Sequence, residues 1–80
     1  MATSLHRPRI TSEQRRALEL LASSAHGIDA EMLVHSHSFS IRMLAGLVHT
    51  GLAIVERRVI MPVEVVRLRI TAMGRRAIEE

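Results

Sequence analysis

The side chains in this 80-residue sequence best suited to chemistry are its arginines, because all eleven basic residues are arginine and none is lysine. Arginine carries a permanent charge and a planar fork of N–H donors, which suits phosphate oxygens and guanine edges. The formal net charge is only +3, so the placement of the charge matters more than its total. Arginines outnumber acids in residues 1–9 and 52–70, whereas the only Asp, Glu, Lys or Arg residues in 27–37 are two acids. This distribution predicts an anion-binding surface on the N-terminal residues and the second half of the chain.

Five histidines raise the alternative of a metal site, with His35 and His37 two residues apart. A structural zinc site normally has four ligands, often thiolates, and this sequence has no cysteine. We therefore interpret His35 as a partly buried turn residue and expect no metal or other cofactor.

The sequence offers little for catalysis or for small-molecule binding. No serine lies in a nucleophile-elbow context and no glycine-rich loop follows a strand. A chain of this size forms one modest core without room for a deep enclosed cavity. We therefore expect a protein that is not an enzyme.

No apolar run is long enough to span a bilayer. The absence of cysteine suits a reducing compartment. Together these features predict a cytoplasmic protein with no membrane partner.

The first element that could position the arginines is a helix beginning after Thr11. Thr11 and Gln14 form a capping-box pattern, and Leu18 and Leu21 share one helical face. The helix is expected to end within residues 23–27. Residues 1–10 are predicted to be a flexible basic arm, and residues 11–80 a single domain.

Two further helices are predicted between Asp29 and residue 50. Asp29 is a candidate cap for a short second helix, and Ser36 or Ser38 for a third helix at about residues 37–50. Gly51 is expected to end that helix in a left-handed conformation.

The apolar period then changes from 3.6 to 2, which indicates strands. Apolar and charged residues alternate along Val66–Ile70, Leu52–Val55 is the partner strand, and Glu56–Glu64 is expected to turn between them. Thr71 is a candidate cap for a last short helix, whose Met73, Ala77 and Ile78 are expected to return to the core. The predicted fold class is α+β, mainly α, with three helices, a two-stranded hairpin and a short C-terminal helix.

This order of elements, with a short link between the second and third helices, is that of a winged helix-turn-helix. The sequence resembles bacterial winged-helix regulators over residues 11–80, and its wing and recognition helix are similar to those of the MarR group, without that group's flanking dimerisation helices. The segments that carry the resemblance are Ser36–Leu47, Thr50-Gly51-Leu52, Val55-Glu56-Arg57, Leu68-Arg69-Ile70-Thr71 and Gly74-Arg75-Arg76.

The resemblance implies double-stranded DNA binding by a small transcription regulator, with the third helix in the major groove. Arg42 is suited to a bidentate contact with guanine, and its alternative is a solvated side chain on an exposed helix face. In the same way the wing arginines either bind phosphate or form the solvated face of an amphipathic hairpin. The positions expected to contact DNA are His37, Ser38, Ile41 and Arg42 on the third helix, Arg57 and Arg58 on the wing, and Arg7 and Arg9 on the arm.

The predicted tip of the wing is more apolar than a loop in water should be. Its apolar residues are Val59, Ile60, Met61 and Val63. An exposed apolar patch usually marks a protein contact, although these side chains could also fold back onto the small core. The alternative hypothesis is therefore a winged-helix protein-interaction module, with homodimerisation through the wing.

Overall fold

A computed structural model describes residues 9–79 as an α+β domain of four helices and a three-stranded antiparallel sheet. The predicted α+β class is confirmed. The elements in chain order are α1 (Ser12–Ala22), β1 (Ile28–Asp29), α2 (Ala30–His35), α3 (Ile41–His49), β2 (Ala53–Ile60), β3 (Val63–Ile70) and α4 (Ala72–Ile78).

The helix caps predicted from local sequence at Thr11, Asp29 and Thr71 are all confirmed. The backbone N–H of Gln14 donates to the Thr11 hydroxyl at 3.0 Å, and the Gln14 side-chain oxygen accepts from the Thr11 N–H at 2.8 Å. Asp29 accepts from the N–H of Glu31 at 2.9 Å. Each cap satisfies backbone donors that have no partner inside the helix, so local chemistry sets these starting points.

The predicted start of the third helix is wrong. Helix α3 begins at Ile41, and Ser40 caps it by accepting from the N–H of Met43 at 3.0 Å. Ser38 has a left-handed backbone with φ 61°, which no helix can continue through. Burial of Phe39 in the core fixes the chain between α2 and α3, so neither Ser36 nor Ser38 serves as the cap.

The sheet contains one more strand and longer strands than the sequence predicted. The short strand β1 pairs with β3, with Ile28 opposite Leu68, and gives the order β1-β3-β2. Strands β2 and β3 pair over eight residues each, from Ala53 opposite Ile70 to Ile60 opposite Val63. The predicted turn over Glu56–Glu64 is therefore wrong, because only residues 61 and 62 lie between the strands.

Opposed residues in an antiparallel pair share a face, so the hairpin has two distinct faces. We call the inner face the one that carries Ala53 and Leu68, because both are buried in the core. The outer face carries the alternate positions. The inner face comprises Ala53, Val55, Arg57, Val59, Glu64, Val66, Leu68 and Ile70, and the outer face Ile54, Glu56, Arg58, Ile60, Val63, Val65, Arg67 and Arg69.

Every helix and the base of the hairpin contribute to one core. Its fully buried large side chains are all leucines, and Ile10 packs against the cluster from the end of the predicted arm. In α4, Ala77 and Ile78 also pack there, whereas Met73 is 53% exposed, so its predicted core role is wrong. The buried residues are Ala17, Leu18, Leu21, Leu33, Phe39, Leu44, Leu47, Leu52, Ala53 and Leu68.

The hairpin base is fixed by Gly51 and Thr71. Gly51 has φ 84°, which ends α3 as predicted, and its carbonyl accepts from the Thr71 hydroxyl at 2.6 Å. The same hydroxyl accepts from the N–H of Gly74 at 3.0 Å and so caps α4. Beyond this base the hairpin projects from the helices, and the described part of the chain measures 55 × 22 × 20 Å.

Candidate nucleic-acid interface

One face of α3 is turned away from the core and available to a partner. Leu44 and Leu47 are buried, while Arg42, Ala45 and His49 are exposed. Positions 42, 45, 46 and 49 recur at spacings of three and four, so they form one stripe opposite the buried leucines. The stripe presents a charged or polar donor at each end and two small residues between them.

Gly46, in the middle of this stripe, has no packing role in the described part of the chain. A Cβ built at Gly46 would meet nothing within 4 Å. Glycine inside a helix costs roughly 0.5–1 kcal/mol relative to alanine, and here no internal contact offsets that cost. Ala45 and Gly46 together allow close approach of an external surface to the α3 backbone.

The structure separates the four positions that the sequence placed on the third helix. Ile41 and Arg42 lie in the first turn of α3, and Ile41 is 70% exposed. His37 and Ser38 lie in the preceding turn, and both are exposed. The expectation that His37 and Ser38 belong to the helix is wrong, because the helix begins three residues after Ser38.

The turn before α3 carries a small cluster of side chains built on Phe39. The His37 ring stacks on the Phe39 ring with centroids 6.2 Å apart. The guanidinium of Arg16 on α1 lies 5.6 Å from the Phe39 ring centroid, which is cation–π geometry. Sequence reasoning missed Arg16, because only the packing of α1 against this turn brings it near α3.

The amino end of α3 also receives an acid from α1. The Glu13 carboxylate accepts from the N–H of Ser40 at 3.4 Å. A negative charge is favourable at a helix N-terminus, so Glu13 stabilises the start of α3.

The four hairpin arginines are divided between the two faces. Arg57 lies on the inner face, 4.0 Å from Glu64. Arg58, Arg67 and Arg69 lie on the outer face, where Arg69 bonds Glu56 at 2.6 Å. Among residues 9–79, neither Arg58 nor Arg67 has a carboxylate within 4.0 Å. The sequence-predicted pair Arg57 and Arg58 therefore lies on opposite faces of the hairpin, although both residues line one depression.

A shallow depression of about 380 Å³ lies along the outer half of the hairpin, meaning the half farther from the helices. Arg58 and Arg67 are diagonal neighbours on the outer face and both line it. Their two charges and one nearby acid give this strip a positive balance. Its residues are Glu56, Arg57, Arg58, Ile60, Val65 and Arg67.

The hairpin tip is exposed, so the alternative in which its side chains fold back onto the core is wrong. Val59 is 65% exposed, Ile60 57%, Met61 85% and Val63 56%. A patch of exposed apolar side chains usually marks a surface that another molecule contacts.

An apolar groove of about 180 Å³ lies where the inner face leaves the helices. Val55 and Leu68 form its floor, and residues of α2 and α3 form its walls. Its lining residues are Ala30, Val34, Ile41, Leu44, Ala45, Val48, Val55 and Leu68.

The predicted arm falls mostly outside the described residues. Arg7 lies there, and Arg9 is exposed at the start of the described part. Whether the arm is flexible therefore remains a prediction.

The histidines do not form a metal-binding group in the described structure. Across residues 9–79, no three His, Cys, Asp or Glu side chains are grouped to hold a metal ion. His35 ends α2 and is exposed, so its predicted partial burial is wrong.

Within the described range, no helix has the length and apolar character needed to cross a bilayer. Comparisons with protein-family models, curated proteins and solved structures gave no match to this chain.

His49 and Gly46 are the α3 residues that sequence reasoning missed. His49 follows Arg42 by seven residues, which is two helical turns, so both lie on one face. Had the start of α3 been placed at Ile41, the spacing of three and four residues would have shown that Gly46 and His49 share a face with Arg42.

Proposed function

We propose that this domain is a winged helix-turn-helix that binds double-stranded DNA, with α3 in the major groove. The observation that carries the proposal is the exposed α3 stripe, in which Arg42 and His49 flank two small residues. The order α1-β1-α2-α3-β2-β3 and the projecting arginine-bearing hairpin support it. The biological role we propose is that of a small bacterial transcription regulator in the cytoplasm.

Arg42 and His49 divide the work of base recognition in this proposal. The major groove is about 12 Å wide and accepts an α-helix. Arg42 donates two hydrogen bonds to guanine O6 and N7, and His49 contacts a base edge or phosphate two helical turns further along. Gly46 and Ala45 let the helix backbone approach the bases between these two contacts.

The surrounding positive residues hold the sugar-phosphate backbone. Arg67 lies opposite Glu56 in the strand register, but neither Arg58 nor Arg67 has a carboxylate within 4.0 Å among residues 9–79. These two are therefore the hairpin residues best placed to bind phosphate. Arg57, which lies near Glu64, contributes less. His37 and Ser38 in the exposed turn, Ile41 at the start of α3, and Arg7 and Arg9 in the arm complete the proposed surface.

The experiment that tests this proposal is selection from random duplexes, followed by binding measurements at several salt concentrations. About five phosphate contacts predict that log affinity falls with log salt at a slope near −4 to −5. A slope near zero, or failure to enrich any sequence at low salt, would overturn DNA binding.

Arg42→Ala tests the base contact directly. We expect a loss of about 1–3 kcal/mol in binding free energy and relaxed preference at one base pair. Arg76→Ala is the matched control, because Arg76 is an exposed arginine on α4 rather than on the α3 stripe. Equal losses in the two variants, with unchanged preference, would contradict base recognition by Arg42.

A second candidate function is a protein-interaction module, which the exposed tip favours. It predicts weak duplex binding without sequence preference and binding to protein through Val59, Ile60, Met61 and Val63. Sequence preference in the duplex selection separates the two functions.

A further inference from the structure

We infer that two copies of this chain pair through the free edge of β2, in a single register centred on Arg57. The inference does not depend on DNA binding, because it comes from the sheet order and the residues along β2. Among residues 9–79, the strand order β1-β3-β2 gives β2 a hydrogen-bonded neighbour on one side only. An edge strand presents a row of unpaired N–H and C=O groups to another chain.

Strand β2 has few of the features that protect an edge. It is eight residues long, from Ala53 to Ile60, and contains neither proline nor glycine. Every residue after Ala53 is exposed. Only the charges of Glu56, Arg57 and Arg58 interrupt the apolar sequence, and charged residues usually prevent edge pairing unless the partner matches them.

Two antiparallel copies of β2 are related by a two-fold axis perpendicular to the joined sheet. This symmetry places inner face beside inner face, so the axis must pass through one residue and its own copy. With the axis at Arg57, Glu56 lies opposite Arg58 of the second copy, and this pair occurs twice. Arg58 has no carboxylate within 4.0 Å among residues 9–79 of its own chain. The second copy supplies one from Glu56, which also bonds Arg69 of its own chain.

The same register matches the apolar residues on both faces. Val55 lies opposite Val59 of the second copy on the inner face, and Ile54 lies opposite Ile60 of the second copy on the outer face. Each pair occurs twice. Opposite charges and apolar pairs directly across two strands each stabilise a sheet, so Val59 and Ile60 of one copy gain apolar neighbours from the hairpin base of the other.

Neighbouring registers lack this agreement. With the axis at Glu56, two glutamates face each other and Val55 faces Arg57 of the second copy. With the axis at Arg58, two arginines face each other and Glu56 faces Ile60. In the Arg57 register the directly opposed like charges are the two copies of Arg57, and each has Glu64 of its own chain 4.0 Å away.

The geometry also decides how the helices are displayed. Helices α2 and α3 lie on the inner-face side, because they line the groove above Val55 and Leu68. Since both inner faces look the same way, both α3 helices lie on one side of the joined sheet. If the DNA proposal holds, this arrangement suits a two-fold binding site.

Cysteine cross-linking tests the register, and the natural sequence has no cysteine to interfere. Directly opposed residues have Cα atoms about 4.5–5.5 Å apart, which a disulfide can bridge. We expect Arg57→Cys to form disulfide-linked dimers at least about tenfold faster than Val55→Cys or Val59→Cys, whose own copies lie roughly 13 Å apart along the strand. Mixing the Val55→Cys and Val59→Cys proteins should cross-link the two to each other. Fastest self-cross-linking at any position other than 57, including Glu56→Cys and Arg58→Cys, would overturn the register.

Sedimentation equilibrium without DNA tests the edge. We expect the wild-type chain to form dimers, and Val59→Lys to raise the dimer dissociation constant at least about tenfold, because two lysines enter apolar pairs. Val63→Lys is the matched control, since Val63 is similarly exposed at the tip but lies on β3, away from the joined edge. It should change the constant less than about threefold, and circular dichroism should show that both variants fold.

A chain that stays monomeric up to about 1 mM would overturn the dimer. Equal weakening by Val59→Lys and Val63→Lys would overturn edge pairing in favour of tip-to-tip contact. Selection of a duplex by a monomeric chain would refute this inference and leave the DNA proposal standing. A dimer of the expected register that selects no duplex would support this inference and refute the DNA proposal.

Discussion

The helical body and the outer half of the hairpin use apolar residues for different purposes. In the body, Leu18, Leu33 and Leu47 are fully buried in one cluster. In the outer hairpin, Val59 and Ile60 are more than half exposed although the strands pair regularly. Burial stabilises the body, whereas the apolar residues of the outer hairpin gain little from folding. This difference is what the proposed contact between the outer hairpin and a partner predicts.

The largest expected difference between the two regions comes from removing one large apolar side chain in each. Leu47→Ala should lower the free energy of unfolding by about 2–5 kcal/mol, because it leaves a cavity among buried residues. Ile60→Ala should change it by less than about 0.5 kcal/mol, since Ile60 lies on the surface. Urea denaturation of both variants, at concentrations where the chain is monomeric, measures this. Similar losses would contradict the contrast between body and hairpin.

Two glycines sharpen the comparison at the next level of effect. A Cβ at Gly74 would overlap the carbonyl oxygen of Leu52, so Gly74→Ala should destabilise the protein by about 1–3 kcal/mol. Gly46→Ala should instead stabilise it by about 0.5–1 kcal/mol, because a methyl group meets nothing there and alanine favours helix. Thermal unfolding of the two variants shows whether each substitution raises or lowers the stability. A destabilising Gly46→Ala would show that Gly46 is needed for the fold rather than for a partner.

The smallest expected effect concerns the ion pair between Glu56 and Arg69 on the hairpin. Both side chains are 45% exposed, so solvent screens their attraction. Glu56→Gln should lower the free energy of unfolding by at most about 1 kcal/mol, and added salt should reduce the difference further. Chemical denaturation at low and high salt checks this. A larger loss that is insensitive to salt would mean that the hairpin supports the body more than its exposure indicates.

What could be predicted from the sequence was mostly what local chemistry decides. The caps at Thr11, Asp29 and Thr71 and the stop at Gly51 depend on residues close in the chain. Strand β1 could not be predicted, because two residues show no alternation and their pairing depends on distant β3.

The start of α3 could not be chosen because Ser36, Ser38 and Ser40 are all suitable caps. The tertiary burial of Phe39 decides between them. Arg42 was identified as an exposed candidate. Its neighbours on the stripe, Gly46 and His49, were missed because the start of α3 was placed too early. The hairpin was predicted too short, because Glu56–Glu64 was assigned to the turn, whereas strand pairing continues as far as Ile60 opposite Val63.

The elongated shape has a consequence for hydrodynamics. A body of 55 × 22 × 20 Å experiences more friction in solution than a sphere of equal mass. A single 9.0 kDa chain will therefore leave a gel-filtration column earlier than a compact protein of its size and imitate a larger particle. Antiparallel overlap of two hairpins would lengthen the particle less than its mass increases. Light scattering, which reports mass without reference to shape, is therefore the measurement that distinguishes one chain from two.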